Sequence, residues 1–327
     1  MNEGVTMKIV LIDSGIDQIL RSSGVTLGRN FLKKNETALD DQGHGTLCAR
    51  TIMEYCDSMP EIHAIKILDK NNSASSFMLL EALKECEKID CRLINLSLAT
   101  RSSEQLDQME SIIDALTMQG KIVVSSLPNS GGLAYPAALK NVIGVNGAVF
   151  NDLMEYWYNG KYEIQGIANR VPILIQGLDG QYKMFGGTSK ATCVMTAIIA
   201  NQLDIHPDIT KEELQEILES HSARQQWDCQ LIDKKSKYFI DTTIAKSDKE
   251  RYIKEMIEKY IENKGLKVLE SDYIKYGYQP YLTGDDFHSI IKLAEQALDV
   301  FLPTYDGISY RTFDNAVTMV RYFEQYS

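Results

Sequence analysis

The chain has 327 residues, 44% of them hydrophobic, and a formal net charge of −11. Its length and apolar content suffice for one large core plus a smaller module. The acidity argues against nonspecific nucleic-acid binding, which rests on clustered Lys and Arg, and no apolar run reaches transmembrane length, so neither nucleic acid nor membrane is an expected partner.

Residues 7–12, Met-Lys-Ile-Val-Leu-Ile, are predicted to form a buried parallel strand. Asp13 then falls at the strand's carboxyl end, where open α/β sheets carry their functional groups. The pair Asp40-Asp41 is expected to be a solvated turn. His44 stands between Gly43 and Gly45 at the start of a helix expected from about Thr46, with Cys48 one turn further on. His63 lies in an alternating strand and is expected to be structural. Cys86 and Cys91 bracket a helix end and are expected to pack. Residues 94–98 and 121–125 read as further strands; the second runs into Ser-Leu-Pro-Asn-Ser-Gly-Gly, which contains Asn129. Gly186-Gly187-Thr188-Ser189 opens a helix that is apolar almost throughout from Ala191 to Leu203. Ser189 therefore sits in a first turn rich in unpaired N–H groups, with Cys193 one turn below. His206 and His221 receive no role. The six cysteines have no paired metal-ligand spacing and suit a reducing compartment. No metal and no cofactor is expected, and the N-terminal residues lack a signal-like core, so the expected location is cytoplasmic.

The organisation changes near residue 225. Residues 226–247 are mixed and polar and read as a connector. Residues 248–264 form an amphipathic helix, a second covers about 285–301 and is stopped by Pro303, and a third spans about 312–325. Between the first two lies a loop, 265–284, with tyrosines at 273, 276, 278 and 281. Phe287, Ile291 and Ala294 are candidates for a small core, and His288 is expected to be solvated.

Three patches carry chemistry: Asp13 in I-D-S-G-I-D, His44 in D-Q-G-H-G-T and Ser189 in G-G-T-S-K-A-T. A serine hydroxyl is a poor nucleophile until a histidine takes its proton, and the histidine needs a buried carboxylate to fix its tautomer. The order Asp, His, Ser is one of three that build this apparatus. The Asn129 amide and the Ser189 N–H are candidate donors to the oxyanion of a tetrahedral intermediate.

By these patches residues 7–225 resemble a subtilisin-like serine peptidase. Ile65-Lys66-Ile67-Leu68-Asp69 is similar to the family's strand after the histidine helix, and Tyr135-Pro136-Ala137 with Asn141 to Val145 to its segment after the oxyanion asparagine. The resemblance implies a parallel α/β sheet with helices on both faces. It implies that Asp13, His44 and Ser189 are the catalytic triad with Asn129 as oxyanion donor, and that Asn95, Leu96, Ser97 and Leu98 form the substrate-binding strand. Three departures stand out. Ser189-Lys190-Ala191-Thr192-Cys193 lacks the family's methionine and proline, Ala99-Thr100 replaces a glycine pair, and Leu127-Pro128 replaces small residues. The first strand starts too early to leave room for an inhibitory propeptide, which implies an enzyme made active. Residues 1–225 are thus expected to be a peptidase domain, 226–247 a connector, and 248–327 a small all-α domain that resembles an acyl carrier. There Asp286 stands where a carrier presents its serine. The expected function is a serine endopeptidase that processes a peptide precursor, including one of ribosomally made modified peptides, docked on the C-terminal domain. The alternative is a peptide-binding module with little turnover.

Overall fold

In the computed structural model, which describes residues 6–269 and 278–327, the apolar runs of the first half form one eight-stranded sheet. Its strands are β1 (Lys8–Asp13), β2 (Val25–Asn30), β3 (Glu61–Lys66), β4 (Leu93–Leu96), β5 (Ile122–Ser126), β6 (Val142–Ala148), β7 (Tyr156–Tyr158) and β8 (Gly166–Asn169). Their order is β2-β3-β1-β4-β5-β6-β8-β7. Neighbours run parallel except the β7–β8 pair at the edge. A parallel sheet is covered on both faces, which is why β1 is apolar on both sides: Ile9, Val10, Leu11 and Ile12 are all buried. Val10, Ile12, Ile94 and Leu96 pack against α2 (Ser76–Cys86) and α3 (Leu106–Met118). By alternation Ile9 and Leu11 face the other side, where α1 (His44–Tyr55) and α4 (Gly187–Ile205) pack along each other.

Helix α4 runs through the interior, with Ala191 to Ala200 buried in an unbroken stretch, as expected of a helix that is apolar all round. Helix α5 (Lys211–His221) begins in a capping box of Thr210 and Glu213. Helix α6 (Cys229–Lys235) follows, and Trp227, Leu231 and Ile232 close over Phe150 and Trp157. The strand order reverses at β1, which has β3 on one side and β4 on the other. Ligands bind at such a switch point, outside the carboxyl ends of the strands.

The chain divides into two compact units at places the sequence does not mark. The first holds the residues up to Arg170 together with Gly186–Ser236, and the second holds Val171–Phe185 together with Lys237–Ser327. Residues 226–236 thus belong to the first unit, where the sequence suggested a connector. The second unit contains α7 (Asp248–Asn263), α8 (Gly284–Leu298) and α9 (Ala316–Phe323), so the expected helical region is present. A left-handed Asp299 ends α8 four residues before Pro303, and Asn315 caps α9. The sequence did not announce a three-stranded sheet in this unit. A hairpin of β9 (Ile173–Gln176) and β10 (Tyr182–Phe185) pairs with β11 (Ile308–Ser309). Leu174 of the hairpin joins Ile253, Ile257, Phe287, Ile291 and Ala294 in the unit's core.

Asp286 is fully engaged: it completes a capping box with Thr283 and accepts from Tyr260 Oη and Lys264 Nζ. Although burial opposes ionisation, these donors hold its carboxyl down at about 2. His288 is half-buried, with its ring stacked on Tyr182 at a centroid distance of 4.1 Å. Tyr278 is buried as well, while Tyr273 and Tyr276 lie outside the described residues.

Candidate active site

Asp13 ends β1, fully buried. His44 Nδ1–H donates to its two carboxylate oxygens at 2.8 and 3.0 Å. The imidazole is the first residue of α1 and keeps 15% of its side chain exposed, enough to face a substrate. Burial of the ring opposes its protonation. The charge and hydrogen bonds of Asp13 outweigh it, with smaller help from Cys193 and Asp40, and lift His44 to about 9.

Two residues that the sequence reading passed over set this geometry. Asp40, expected in a solvated turn, is buried. It accepts five hydrogen bonds, from Ser14 Oγ, the N–H groups of Gln42, Gly43 and Thr46, and Thr46 Oγ1. It thereby satisfies the first turn of α1, whose N-cap Gly43 has no side chain to do so. Ser14 Oγ in turn accepts from Gly45 N–H at 2.9 Å, tying the end of β1 to the start of α1. Gly45 is obligatory here, because an added Cβ would stand 2.1 Å from Gly15 O. Buried Lys66 donates to Ser14 O at 2.5 Å and to Asp41 at 2.6 Å, supporting the same corner from β3. The only sequence signal for Asp40 was an acid three residues before a glycine that opens a helix.

Ser189 lies in the first turn of α4 and is half-buried. Its Oγ donates to Ser97 O at 3.4 Å, while Ser97 Oγ donates to Ser189 O at 3.3 Å. One turn below, the Cys193 thiol lies 3.5 Å from Ser97 Oγ and is hydrogen-bonded to the Cys48 thiol. Cys48 Sγ is in turn 3.7 Å from His44 Nδ1. Two helices that meet through the residues below His44 and Ser189 therefore present those two residues at the same end. Burial, together with Cys193 and Asp13, pushes the Cys48 thiol up, so it remains a protonated packing group. Asp13, His44 and Cys48 are the donor cluster found among the described residues, with ligand atoms within 4.8 Å of one another; their donors are already committed to each other.

Asn129 Oδ1 accepts from Thr188 N–H at 2.9 Å and from Thr188 Oγ1 at 3.2 Å. Anchoring the oxygen leaves the NH₂ as the outward end, beside Ser189. Gly187 permits the contact: it has φ 80°, and a Cβ there would meet Asn129 Oδ1 at 2.5 Å. Lys190, which follows Ser189 in the chain, is fully buried with no hydrogen-bond partner for Nζ, which lies 5.4 Å from the centre of the Tyr55 ring.

The structure corrects the substrate strand. Asn95 and Leu96 are buried in β4, paired with β1 on one edge and β5 on the other. The Asn95 side chain donates to Ser97 and accepts from Thr196. Neither residue offers a free edge to a peptide. Only the continuation through Ser97 and Leu98 leaves the sheet beside Ser189, before Thr100 pairs with Tyr135.

The sequence profile of the Subtilase family matches residues 4–237. Subtilisin amylosacchariticus of Bacillus subtilis subsp. amylosacchariticus is 25% identical over 232 residues, covering 66% of this chain and 60% of that protein. The cell wall-associated protease of Bacillus subtilis is 28% identical over 227 residues, covering 64% of this chain and 25% of its own length. The chain therefore spans 60% or less of these curated relatives. In structure it is similar in fold to an S41 psychrophilic protease, with a TM-score of 0.55 and 20% identity over 66% of this chain and 83% of that one.

Proposed function

The chain belongs to the subtilase family, and on that footing we propose that it is a serine endopeptidase whose triad is Asp13, His44 and Ser189. The observation that carries this reading is the buried Asp13 carboxylate on His44 Nδ1, at the end where α1 and α4 present His44 and Ser189 together. With Nδ1–H committed to Asp13, the neutral imidazole has Nε2 as its base. Nε2 takes the hydroxyl proton as Ser189 Oγ attacks the scissile carbonyl, then returns it to the leaving amine. The negative charge that develops on the carbonyl oxygen is met by Asn129 NH₂ and the Ser189 N–H. The acyl-enzyme is released by water through the same base. The extended substrate runs along residues 97–99, where the backbone has left the sheet and has not yet paired with Tyr135.

The physiological substrate in this reading is a peptide precursor, cut in the cytoplasm and captured in part by the second unit. The six free cysteines support a reducing compartment. No helix among the described residues is long and apolar enough to cross a membrane. Asp286 has no hydroxyl and is locked into a cap, which favours a docking role for the second unit over a loaded carrier.

Labelling with a fluorophosphonate probe tests the assignment. The wild-type protein should be labelled at Ser189 and cut peptides, and Ser189→Ala should lose both. A wild-type protein that binds peptide yet takes no label would instead be the binding module.

A further inference from the structure

Two arginines adjoin the segments that carry Ser189 and Asn129, and among the described residues neither forms an ion pair with a carboxylate. Arg170 follows β8, and its carbonyl accepts from Gly187 N–H at 3.0 Å, two residues from Ser189. It shares a sheet face with Gly166 and Ala168 by alternation. That is the α4 face, since an added Cβ on Gly166 would meet Met195 at 2.9 Å. The Arg170 stem lies over Gly147, so closely that a Cβ there would stand 2.7 Å from Arg170 Cβ. The side chain is half-buried, and burial with no compensating carboxylate depresses its pKa. On the other flank Arg101 closes the two segments that leave β4 and β5. Its Nη2 donates to Ser130 Oγ at 2.8 Å and to Gly131 O at 2.7 Å, next to Asn129. Its remaining N–H groups are exposed. In a chain of net charge −11, two guanidinium groups near the candidate site with no ion pair among the described residues stand out.

We propose that the substrate supplies the missing carboxylates: the site takes acidic peptides, with Asp or Glu side chains close to the scissile bond facing Arg170 and Arg101. This rests on Ser189 as the nucleophile. Arginine suits the task because its planar fork binds carboxylates in two-point fashion and remains charged when partly desolvated. The two triad-side acids are already committed, Asp13 to His44 and Asp40 to the start of α1.

The experiment uses the full chain and internally quenched peptides that differ only in carrying Asp or Glu, Ala, or Lys at the four positions on each side of the cleaved bond. Wild-type kcat/KM should favour the best acidic peptide over its Ala counterpart by roughly 10- to 100-fold, the range of a charged hydrogen bond. Added salt should erode the preference. Arg101→Ala and Arg170→Met should each cut that ratio, the double variant should bring it near one, and Arg101→Glu should turn the preference towards Lys. Unchanged probe labelling of Ser189 in each variant shows that the site is intact. Equal cleavage of acidic and neutral peptides by the wild type, or a preference that survives the double variant, overturns the proposal. Binding of the same peptides to Ser189→Ala, read by fluorescence anisotropy, reports the preference without turnover. An acidic preference in binding with no cleavage by the wild type would therefore sink the peptidase reading and keep this one.

Discussion

His44 and Lys190 sit beside the same serine and are pushed in opposite directions. His44 is lifted from 6.5 to about 9. Only the neutral imidazole accepts a proton, so kcat/KM should rise with pH and reach half its plateau near 9. Its stabilising pairing with Asp13 has the opposite profile: fully present below 6.5, it is lost as pH rises through 9. A pH–rate profile between pH 6 and 10.5 checks this, and a limb near 6.5 would show that Asp13 does not hold the proton in solution. Lys190 is lowered from 10.5 to about 7 by burial, partly offset by Cys193. Between those values the unfolded chain binds the extra proton, so this group makes stability rise with pH across that window. Lys190→Met should therefore stabilise the protein, by about 3–5 kcal/mol at pH 7 and below, with the gain vanishing above pH 10.5. Urea titrations at pH 6, 8 and 10.5 would show it, and a gain independent of pH would mean that the amine finds a counter-charge.

At the scale of elements, α1 and α4 were readable because their residues announce them. A glycine-flanked histidine opens one, and an unbroken apolar run fills the other. Strand β4 was readable as a strand, but its position in the sheet was not. Pattern alone does not distinguish a central strand with both edges occupied from one that receives a peptide, so Asn95 and Leu96 were misassigned. Asp40 was hidden for a related reason: an acid in a polar turn looks solvated until the turn folds back under a helix. The start of α1 depends on it. Asp40→Ala strands the N–H groups of Gly43 and Thr46, and the expected cost is about 2–4 kcal/mol. Because Asp40 also helps to raise His44, the acid limb of the pH–rate profile should move down as kcat falls about tenfold or more. A variant that unfolds at lower urea but keeps kcat and the limb unchanged would reduce Asp40 to a structural cap.

At the scale of the molecule, deletion at residue 248, the boundary suggested by the sequence, is not a neutral cut. It removes the helices that cover Leu174 and the strand that pairs with β9. The apolar triplet Ile173-Leu174-Ile175 lies in β9, and nothing in its sequence says that its partner lies at residue 308. A chain ending at residue 236 should therefore aggregate or take little fluorophosphonate label, and a fragment of residues 237–327 added during refolding should restore part of it. Full labelling of the shortened chain on its own would show that the hairpin needs no cover.

The hairpin also has a history. It leaves the first unit after Arg170 and returns at Gly186, so the chain passes from the hairpin directly into the segment that leads to Ser189. A ribosome makes it well before the residues that complete its sheet and core. At roughly 5–20 residues per second, it waits on the order of 7–30 seconds until synthesis reaches residue 327. Long-range partners of this kind also fold late once they are available. Newly made chains thus carry a clock, and the hairpin that runs into the segment before Ser189 gains its cover only when the last helix has emerged.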